Sequence, residues 1–474
     1  MSTKKIQGIY LFLLLIILST AGFLRLYKLG ESSYWIDEGF TLMQTKAVLK
    51  HGYPLLNSGA VDFKDFLLPY LLSPIAHYTD SPFFFRLIPA IFGILSIYII
   101  YLLGKNLFNQ KIGLISSFFL AFSYWHIAWS RQIRGYAPLV FFLLLSVLTI
   151  TLFEHNHKKK YLLMAFATII LATFAKTSGI LLFIPFVFYL LMKKLNREAF
   201  LVIFIFSFLA LILRQYFFNA FNLSFVNYLG FYSVGYLWKY FGVLLPLALA
   251  SFYLVSKKNY PVHLFNFLCF FVPLIYFSFF CYISEKRYLF LITPFIFLYG
   301  AFVLNYISQY SRKKLFIFLF FILFIDRLSI QTFIFKPQTF YSLEKYTPQP
   351  NFSSAYQKIN ADKKQNYYMI SAYPYMDLIY LNKSDFYLPI SYTGRESDNI
   401  KSTKEHYSGT NRLIDEEKLK QLRKKGDIYF IFDEMATERV DGKIQKYIKQ
   451  NSQLIFNDYS PQQILVYKIS QNSY

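Results

Sequence analysis

Residues 6–24 read IQGIYLFLLLIILSTAGFL and form one almost uninterrupted apolar run. The interruptions are Gln7, Gly8, Ser19, Thr20 and Gly22. An α-helix of this length crosses the hydrocarbon core of a bilayer. Lys4 and Lys5 precede the run, but no clear small-x-small cleavage site ends it and many apolar runs follow. We therefore interpret it as a retained signal anchor with its N-terminus in the cytoplasm.

The composition extends this interpretation to most of the chain. Hydrophobic residues make up 55% and aromatic residues 21% of the 474 residues, more than a soluble globule keeps out of water. Further runs of helix length lie at about 84–104, 111–129, 135–153, 161–175, 177–192, 199–218, 234–255, 263–283, 288–308 and 315–335. The sequence predicts a polytopic α-helical membrane protein with about 11 transmembrane helices, and 11–13 by the same length criterion. The break at residues 176–179 between two of these runs is also consistent with a re-entrant bend.

Basic loop residues set the orientation of these helices. If the spans alternate, one side receives Lys105, Lys111, Lys158–Lys160, Lys193, Lys194, Arg197, Lys257, Lys258 and Arg312–Lys314. This is the side of Lys4 and Lys5, as the positive-inside rule requires for a multi-pass protein of the cell membrane.

The opposite, extracytoplasmic face carries most of the acidic residues. They are Glu31, Asp37, Glu38, Asp62, Asp65, Asp80 and Glu285. Basic residues on this face lie at helix mouths rather than in loop clusters: Arg86, Arg131, Arg134, Lys176, Arg214, Lys286 and Arg287. A cation near hydrocarbon is costly unless it snorkels or meets a partner such as a phosphate. The distribution therefore indicates an anionic lipid headgroup at the outer interface.

The composition changes after residue 335. Residues 1–335 are predicted to form the membrane domain, with a first outer loop at about 26–83, and residues 336–474 a soluble extracytoplasmic domain. Stretches 367–372, 427–432 and 464–469 are typical of strands, whereas 415–425 and 442–450 have helical patterning. A small α/β domain is expected.

The formal net charge of +23 does not indicate a nucleic-acid partner. The excess belongs to the membrane part, where topology signals and anionic lipid explain it, and the chain has no basic-aromatic nucleic-acid module. No phosphate-binding glycine-rich loop is present, which argues against an ATP-driven pump.

Four stretches in order resemble one family. They are RLYKLG and YWIDEGFT within residues 25–41, PFFFRLIPAIFG at 82–93, SRQIRGY at 130–136, and EKRYL at 285–289 with Pro294. Together they resemble the GT-C membrane glycosyltransferases related to protein O-mannosyltransferases and the lipid A aminoarabinose transferase. These enzymes usually also have an outer α/β tail.

The resemblance implies transfer of a sugar from a polyprenyl-phosphate donor to an extracytoplasmic acceptor, with inversion at the anomeric carbon. An acceptor hydroxyl needs a general base within hydrogen-bond reach, and a loop carboxylate at the membrane edge is suited to this role. Asp37 is the candidate base. Glu38 is expected to orient the acceptor or to help hold a divalent cation. The alternative is that Asp37 and Glu38 only cap an interfacial helix starting at Gly39.

A departing polyprenyl phosphate develops negative charge, which nearby cations stabilise in the transition state. The candidate donor-phosphate residues are Arg131, Arg134 and Arg287, followed by Lys286 and Tyr288, with Lys176 in its polar break and Lys64 also in reach. The alternative for each arginine is that it only snorkels.

The chain departs from the family pattern in the second half of the first outer loop. Relatives often have a histidine or acidic residue before a Pro-Pro-Leu-Tyr-Tyr-like stretch, which sometimes binds metal. Here the segment is VDFKDFLLPY at 61–70, without the proline pair. Asp62, Lys64 and Asp65 carry the equivalent groups, so Glu38, Asp62 and Asp65 are the candidate ligands of a divalent metal cation, whose requirement stays open.

Two other functions are consistent with many helices and outer basic residues. A transporter or flippase for a lipid-linked saccharide predicts repeated halves with broken helices and mid-span charges. No internal repeat is visible, and the obvious mid-span charges are Asp326 and Arg327. A non-catalytic receptor would leave the outer carboxylates unexplained. The sequence does not specify the sugar or whether the acceptor is a protein, a lipid or a cell-envelope glycan.

Overall fold

The computed structural model describes residues 3–212, 225–255, 260–281, 284–310, 350–390, 403–413, 415–459 and 462–471. The predicted span at 315–335 and the predicted domain boundary at 335 lie outside these residues. The described chain forms two compact units. Unit 1 comprises residues 1–27, 63–68 and 86–330; unit 2 comprises 28–62, 69–85 and 331–474. Most of the first outer loop thus groups with the tail.

Unit 1 is helical. Its helices are α1 (Thr3–Leu26), α4 (Pro82–Leu107), α5 (Gln110–Phe122), α6 (Tyr124–Ser130), α7 (Tyr136–Asn156), α8 (Lys160–Ala175), α9 (Phe183–Met192), α10 (Asn196–Ile212), α11 (Leu229–Phe241), α12 (Leu244–Leu254), α13 (Tyr260–Phe279) and α14 (Thr293–Tyr310). The first four residues of α4 are grouped with unit 2. Two 3₁₀ segments, Thr177–Leu182 and Lys286–Ile292, lead into α9 and α14. Helix α7 packs along α8, and α5 packs against α1 and α14.

The apolar runs predicted before residue 310 coincide with these helices, with α10 described as far as Ile212. Two runs are bent: α5 and α6 meet at 63°, and α11 and α12 at 97°. Within the described ranges, 5 helices are long and apolar enough to cross a membrane, or up to 7 if each bent pair is one span. The protein is thus a multi-pass helical membrane protein, while the total of about 11 spans stays a prediction.

Unit 2 contains a six-stranded mixed sheet. The strands are β1 (Tyr367–Ser371), β2 (Phe386–Tyr387), β3 (Asn411–Arg412), β4 (Asp427–Asp433), β5 (Gln453–Asp458) and β6 (Ile464–Ile469), in the order β3-β2-β1-β4-β6-β5. Strands β3, β2, β1 and β4 are parallel, whereas β6 is antiparallel to both β4 and β5. The three predicted strands are observed. Every residue of β4 is buried, as expected for a central strand covered on both faces.

Helices complete unit 2. They are α2 (Ile36–His51), α3 (Leu67–Ala76), α15 (Phe352–Asp362), α16 (Pro374–Leu381), α17 (Glu416–Arg423), α18 (Glu434–Arg439) and α19 (Gly442–Asn451), although the first two residues of α3 are grouped with unit 1. Helices α17 and α19 occupy the predicted helical stretches. Helices α2 and α3 lie in the segment expected to be an outer loop.

Candidate active site

Helix α2 begins at the carboxylate pair in unit 2. Trp35 is extended (φ −77°, ψ 150°), and Asp37 and Glu38 occupy the first helical turn. The N-terminal end of a helix dipole favours negative charge, which explains why two acids are tolerated here. The helix starts at Ile36 rather than at Gly39.

The two carboxylates have different surroundings. Glu38 is fully buried, and its Oε2 accepts the backbone N–H of Trp35 at 2.9 Å. This bond satisfies an amide of the helix N-terminus, so Glu38 has the capping role considered for both acids. Asp37 is only partly buried. Of the two acids, Asp37 is therefore the better placed to meet a substrate.

Asp62 lies further along the first outer loop, also in unit 2. Its Oδ2 is 3.9 Å from Nε2 of His406, and its side chain is 14% exposed. Gln44, on α2, donates through Nε2 to the backbone carbonyl of Asp62 at 3.3 Å. Asp62 is thus held close to α2, the helix that carries Asp37.

Unit 1 contains a cluster of charges that we call the Lys176 cluster: Lys64, Asp65, Arg134 and Lys176. Lys176 occupies the extended break between α8 and the following 3₁₀ segment. Its Nζ pairs with Oδ2 of Asp65, while Oδ1 accepts both the backbone N–H of Thr177 at 2.9 Å and its hydroxyl at 3.0 Å. The Lys176 side chain is 10% exposed and that of Asp65 12%.

A close helix contact explains why Arg134 belongs to this cluster. A Cβ added at Gly135 would lie 1.7 Å from the carbonyl oxygen of Ala175. Only glycine permits this approach, which brings the residues after Ala175 against the residue before Gly135. The aromatic ring of Tyr136 lies next to the cluster, with its centre 5.1 Å from Nζ of Lys176.

The Lys176 cluster carries more positive than negative charge. Burial raises the pKa of Asp65, but Lys176, Lys64 and Arg134 outweigh this effect and lower it to about 2. Three cations therefore face one permanently ionised carboxylate, which leaves a formal excess of two positive charges. A positive excess of this kind suits a phosphate group.

Arg131 lies elsewhere in unit 1 and is 2% exposed. Its Nη1 donates to the backbone carbonyls of Leu24, Arg25 and Tyr27 at 3.2, 2.9 and 2.8 Å. These carbonyls belong to the C-terminal end of α1, where partners within the helix are lacking. The contacts of Arg131 thus fix the point at which the chain leaves α1 for the first outer loop.

The segment 286–288 opens the 3₁₀ turn before α14. Arg287 lies 3.8 Å from Glu285, with a side chain that is 16% exposed. Nζ of Lys286 is 5.6 Å from the ring centre of Phe231, and the ring of Tyr288 is 5.3 Å from that of Phe277. Their role toward the donor stays a prediction.

Two of the three predicted metal ligands are engaged with other groups of the protein. Asp65 uses both oxygens on Lys176 and Thr177, and Glu38 binds the amide of Trp35. Across the described ranges, no three His, Cys, Asp or Glu side chains come together as a metal site. The requirement for a divalent cation therefore stays a prediction.

Sequence reasoning missed two groups. Thr177 follows the predicted site residue Lys176 in the polar break. This position in the sequence was the one feature that could have indicated a role for Thr177. Tyr375 and Tyr380, on α16 in the tail, contact the first outer loop, and nothing in the local sequence distinguishes them from other tyrosines.

The chain is similar to a known protein family and to solved structures. Residues 67–218 match the family described as dolichyl-phosphate-mannose-protein mannosyltransferase. The solved structure of ArnT from Cupriavidus metallidurans bound to undecaprenyl phosphate is similar over 98% of this chain and 98% of that chain, with a TM-score of 0.67 and 11% identity. No curated protein sequence matches the chain at a significant level.

A second similar structure is the archaeal oligosaccharyltransferase AglB from Archaeoglobus fulgidus, in complex with an inhibitory peptide and a dolichol-phosphate. It matches 90% of this chain and 70% of its own, with a TM-score of 0.55 and 13% identity. Another structure of the Archaeoglobus enzyme is a complex with Zn and sulfate; it covers 88% of this chain and 67% of its own, with a TM-score of 0.55 and 14% identity.

The chain therefore shares the GT-C fold of these two enzymes. The family match over residues 67–218 agrees with the resemblance that its four motifs indicated.

Proposed function

We propose that the protein transfers a sugar from a polyprenyl-phosphate donor to an extracytoplasmic hydroxyl acceptor, with inversion at the anomeric carbon. The observation that carries the proposal is the Lys176 cluster, three cations around one carboxylate in a membrane protein of GT-C fold, in which the Lys176–Asp65 pair is largely buried. A lipid-linked phosphate is an anion that a membrane protein meets at the bilayer interface.

In the proposed reaction the acceptor oxygen attacks the anomeric carbon and forms the new glycosidic bond. The bond between this carbon and the phosphate oxygen breaks, and polyprenyl phosphate leaves with the electron pair. Asp37 accepts the proton of the acceptor hydroxyl. Each transfer thus yields a glycosylated acceptor, a polyprenyl phosphate and a proton.

The cations act on the leaving group. Lys64, Arg134 and Lys176 receive the phosphate, whose charge grows as the bond breaks. Asp65 holds Lys176 in place and keeps it charged, so it acts as a positioning residue rather than as a metal ligand. Arg287, Lys286 and Tyr288 are proposed as further contacts to the donor, and Arg131 as the residue that fixes the start of the first outer loop.

The test uses membranes from cells that express the wild type, Asp37→Asn or Asp80→Asn. Asp80 is a matched control because it lies in the same outer loop and its side chain is 85% exposed. A mixed pool of polyprenyl-phosphate sugars is added, and the loss of each donor is followed by mass spectrometry. We expect the wild type and Asp80→Asn to consume one donor, and Asp37→Asn to be at least about 100-fold slower, as for loss of a general base.

Two outcomes would contradict the proposal. Equal consumption by Asp37→Asn at equal abundance would remove Asp37 as the base. A donor that changes sides of the membrane without being consumed, in the presence of acceptor-containing extracts, would favour the flippase alternative.

A further inference from the structure

The first turn of α2 packs directly against α16 of the same unit. A Cβ added at Gly39 would lie 2.8 Å from the sulfur of Met376 and 2.8 Å from the ring of Tyr375. Such distances are far below ordinary carbon contacts, so the absence of a side chain at Gly39 is what permits this packing. Both Met376 and Tyr375 are buried.

The next residue extends the contact. The ring of Phe40 contacts two aromatic rings of the tail, with its centre 4.7 Å from that of Tyr375 and 4.3 Å from that of Tyr407. Aromatic contacts of this kind stabilise the packing beyond the apolar area that they bury.

The chain is also held before Asp37. The hydroxyl oxygen of Tyr380, on α16, accepts the backbone N–H of Tyr34 at 3.0 Å. One residue earlier, the hydroxyl of Ser33 donates to Oδ1 of Asn351 at 3.3 Å and accepts the backbone N–H of Ser353 at 3.0 Å. Contacts from residues 351–407 therefore flank Asp37 on both sides along the chain.

Helix α16 is itself firmly anchored in the sheet domain. Asp377 is fully buried and accepts hydrogen bonds from Tyr356 at 2.6 Å, from Ser371 at 2.8 Å and from Ser384 at 2.8 Å. A fully satisfied buried network of this kind fixes the orientation of the element that carries it.

We infer that α16 is the positioning element for the catalytic loop, with Tyr375, Met376 and Tyr380 as positioning residues that set where Asp37 stands. The inference rests on the proposed function, in which Asp37 is the base. A base must be held within a fraction of an ångström of its productive place, and displacements of about 1 Å cost up to about 100-fold in rate. The tail domain then contributes to catalysis by positioning Asp37.

Tyr380→Phe is the sharpest test because it removes one hydroxyl group and leaves the ring. Its matched control is Tyr429→Phe on β4, whose hydroxyl donates to Asp362 at 2.7 Å within the tail. A second pair is Gly39→Ala, which forces a methyl group against α16, and Gly442→Ala, where an added Cβ meets nothing within 4 Å.

Two measurements are made on the full-length proteins in detergent. The first is kcat and the donor KM, with saturating acceptor. The second is hydrogen exchange of the amides of residues 34–39, which reports on the loop without requiring activity. We expect Tyr380→Phe and Gly39→Ala to lower kcat at least about tenfold, to leave the donor KM unchanged and to accelerate this exchange. The two controls should match the wild type.

Compensation provides a further check. Adding Met376→Ala to Gly39→Ala makes room for the new methyl group, so the double variant should regain part of the lost kcat. The inference is overturned if the amides of residues 34–39 exchange at the same rate in Tyr380→Phe as in Tyr429→Phe. If the wild type consumes no donor, the proposed function fails, and the exchange measurement still decides the inference.

Discussion

Neighbouring carboxylates of this protein differ in role because their surroundings differ. Glu38 folds back onto the amide of Trp35, while Asp37 stays partly open. Asp65 is bound on both oxygens by Lys176 and Thr177. The sequence predicted Asp37 as the base, Glu38 as a second catalytic or metal-binding group and Asp65 as a metal ligand. The structure adds that Glu38 caps α2 and that Asp65 anchors Lys176.

Asp65 supports a stability prediction at the residue scale. Its φ of +55° lies in the left-handed region, which Asn and Asp tolerate better than other residues with a side chain. Asp65→Asn leaves Lys176 buried without its counter-charge, at a cost of about 3–5 kcal/mol. Asp65→Ala should cost about 1 kcal/mol more because of the backbone strain. Thermal unfolding of the purified variants in detergent measures both.

The control for Asp65 is Asp80→Asn, where the same change removes an exposed partner 4.0 Å from Lys46 and should leave stability unchanged. The pKa of Asp65 also falls from the ordinary 3.8 to about 2, so its stabilisation is complete above about pH 4 and is lost as the pH falls toward 2. Equal unfolding temperatures for Asp65→Asn and Asp80→Asn would refute this account of the ion pair.

Glycines decide which elements of unit 1 approach each other. A Cβ at Gly104 on α4 would lie 2.7 Å from Cα of Gly113 on α5, and one at Gly179 would lie 2.5 Å from the backbone of Ala172. Small residues at such points let helix backbones approach closely in a membrane, where no hydrophobic force drives helices together. The contact of Gly135 with Ala175 has the same origin and assembles the Lys176 cluster.

Helix α16 supports a pH prediction at the scale of the element. Burial raises the pKa of Asp377 to about 7, although hydrogen bonds from Tyr356, Ser371 and Ser384 act in the opposite direction. A carboxyl whose pKa is higher in the folded state than in the unfolded state stabilises the fold most when both states are protonated. Its contribution declines as the pH rises from about 4 to about 7 and is constant above that.

The measurement compares the unfolding temperatures of the wild type and Asp377→Asn between pH 5 and pH 8. Because Asn does not ionise, the variant should gain stability relative to the wild type as the pH rises. A difference between the two proteins that is independent of pH would show that Asp377 keeps an ordinary pKa.

The arrangement of basic loops predicts the orientation of the whole molecule. Lys158 follows α7 on the predicted cytoplasmic side, and Lys449 lies on α19 of the predicted extracytoplasmic domain; both are exposed. In a background with Cys269→Ala and Cys281→Ala, an impermeant maleimide applied to intact cells should label Lys449→Cys and not Lys158→Cys. After the cells are opened, both should react. If Lys158→Cys alone were labelled in intact cells, the protein would have the orientation opposite to the predicted one.

Most of the helices followed from the sequence, since a bilayer requires long apolar segments that satisfy their own backbone hydrogen bonds. The same holds for β1, β4 and β6, whose apolar runs are bounded by turn residues. For α2, the sequence indicated only that Asp37 and Glu38 could cap a helix. The length of this helix was not predicted, because its apolar residues have no strong periodicity. Its burial depends on α16, more than 300 residues away in the chain.

The sequence by itself determined that the protein is a helical membrane protein and that four of its motifs resemble the GT-C glycosyltransferases, and it predicted which outer carboxylates and cations carry the chemistry. It did so because hydropathy, loop charge and short motifs are local properties. The tertiary structure decided that Asp65 anchors Lys176, that Glu38 caps α2, and that α16 holds the loop around Asp37. These roles depend on contacts between residues far apart in the chain, and a side chain acquires a partner only when the fold brings that partner within hydrogen-bond distance.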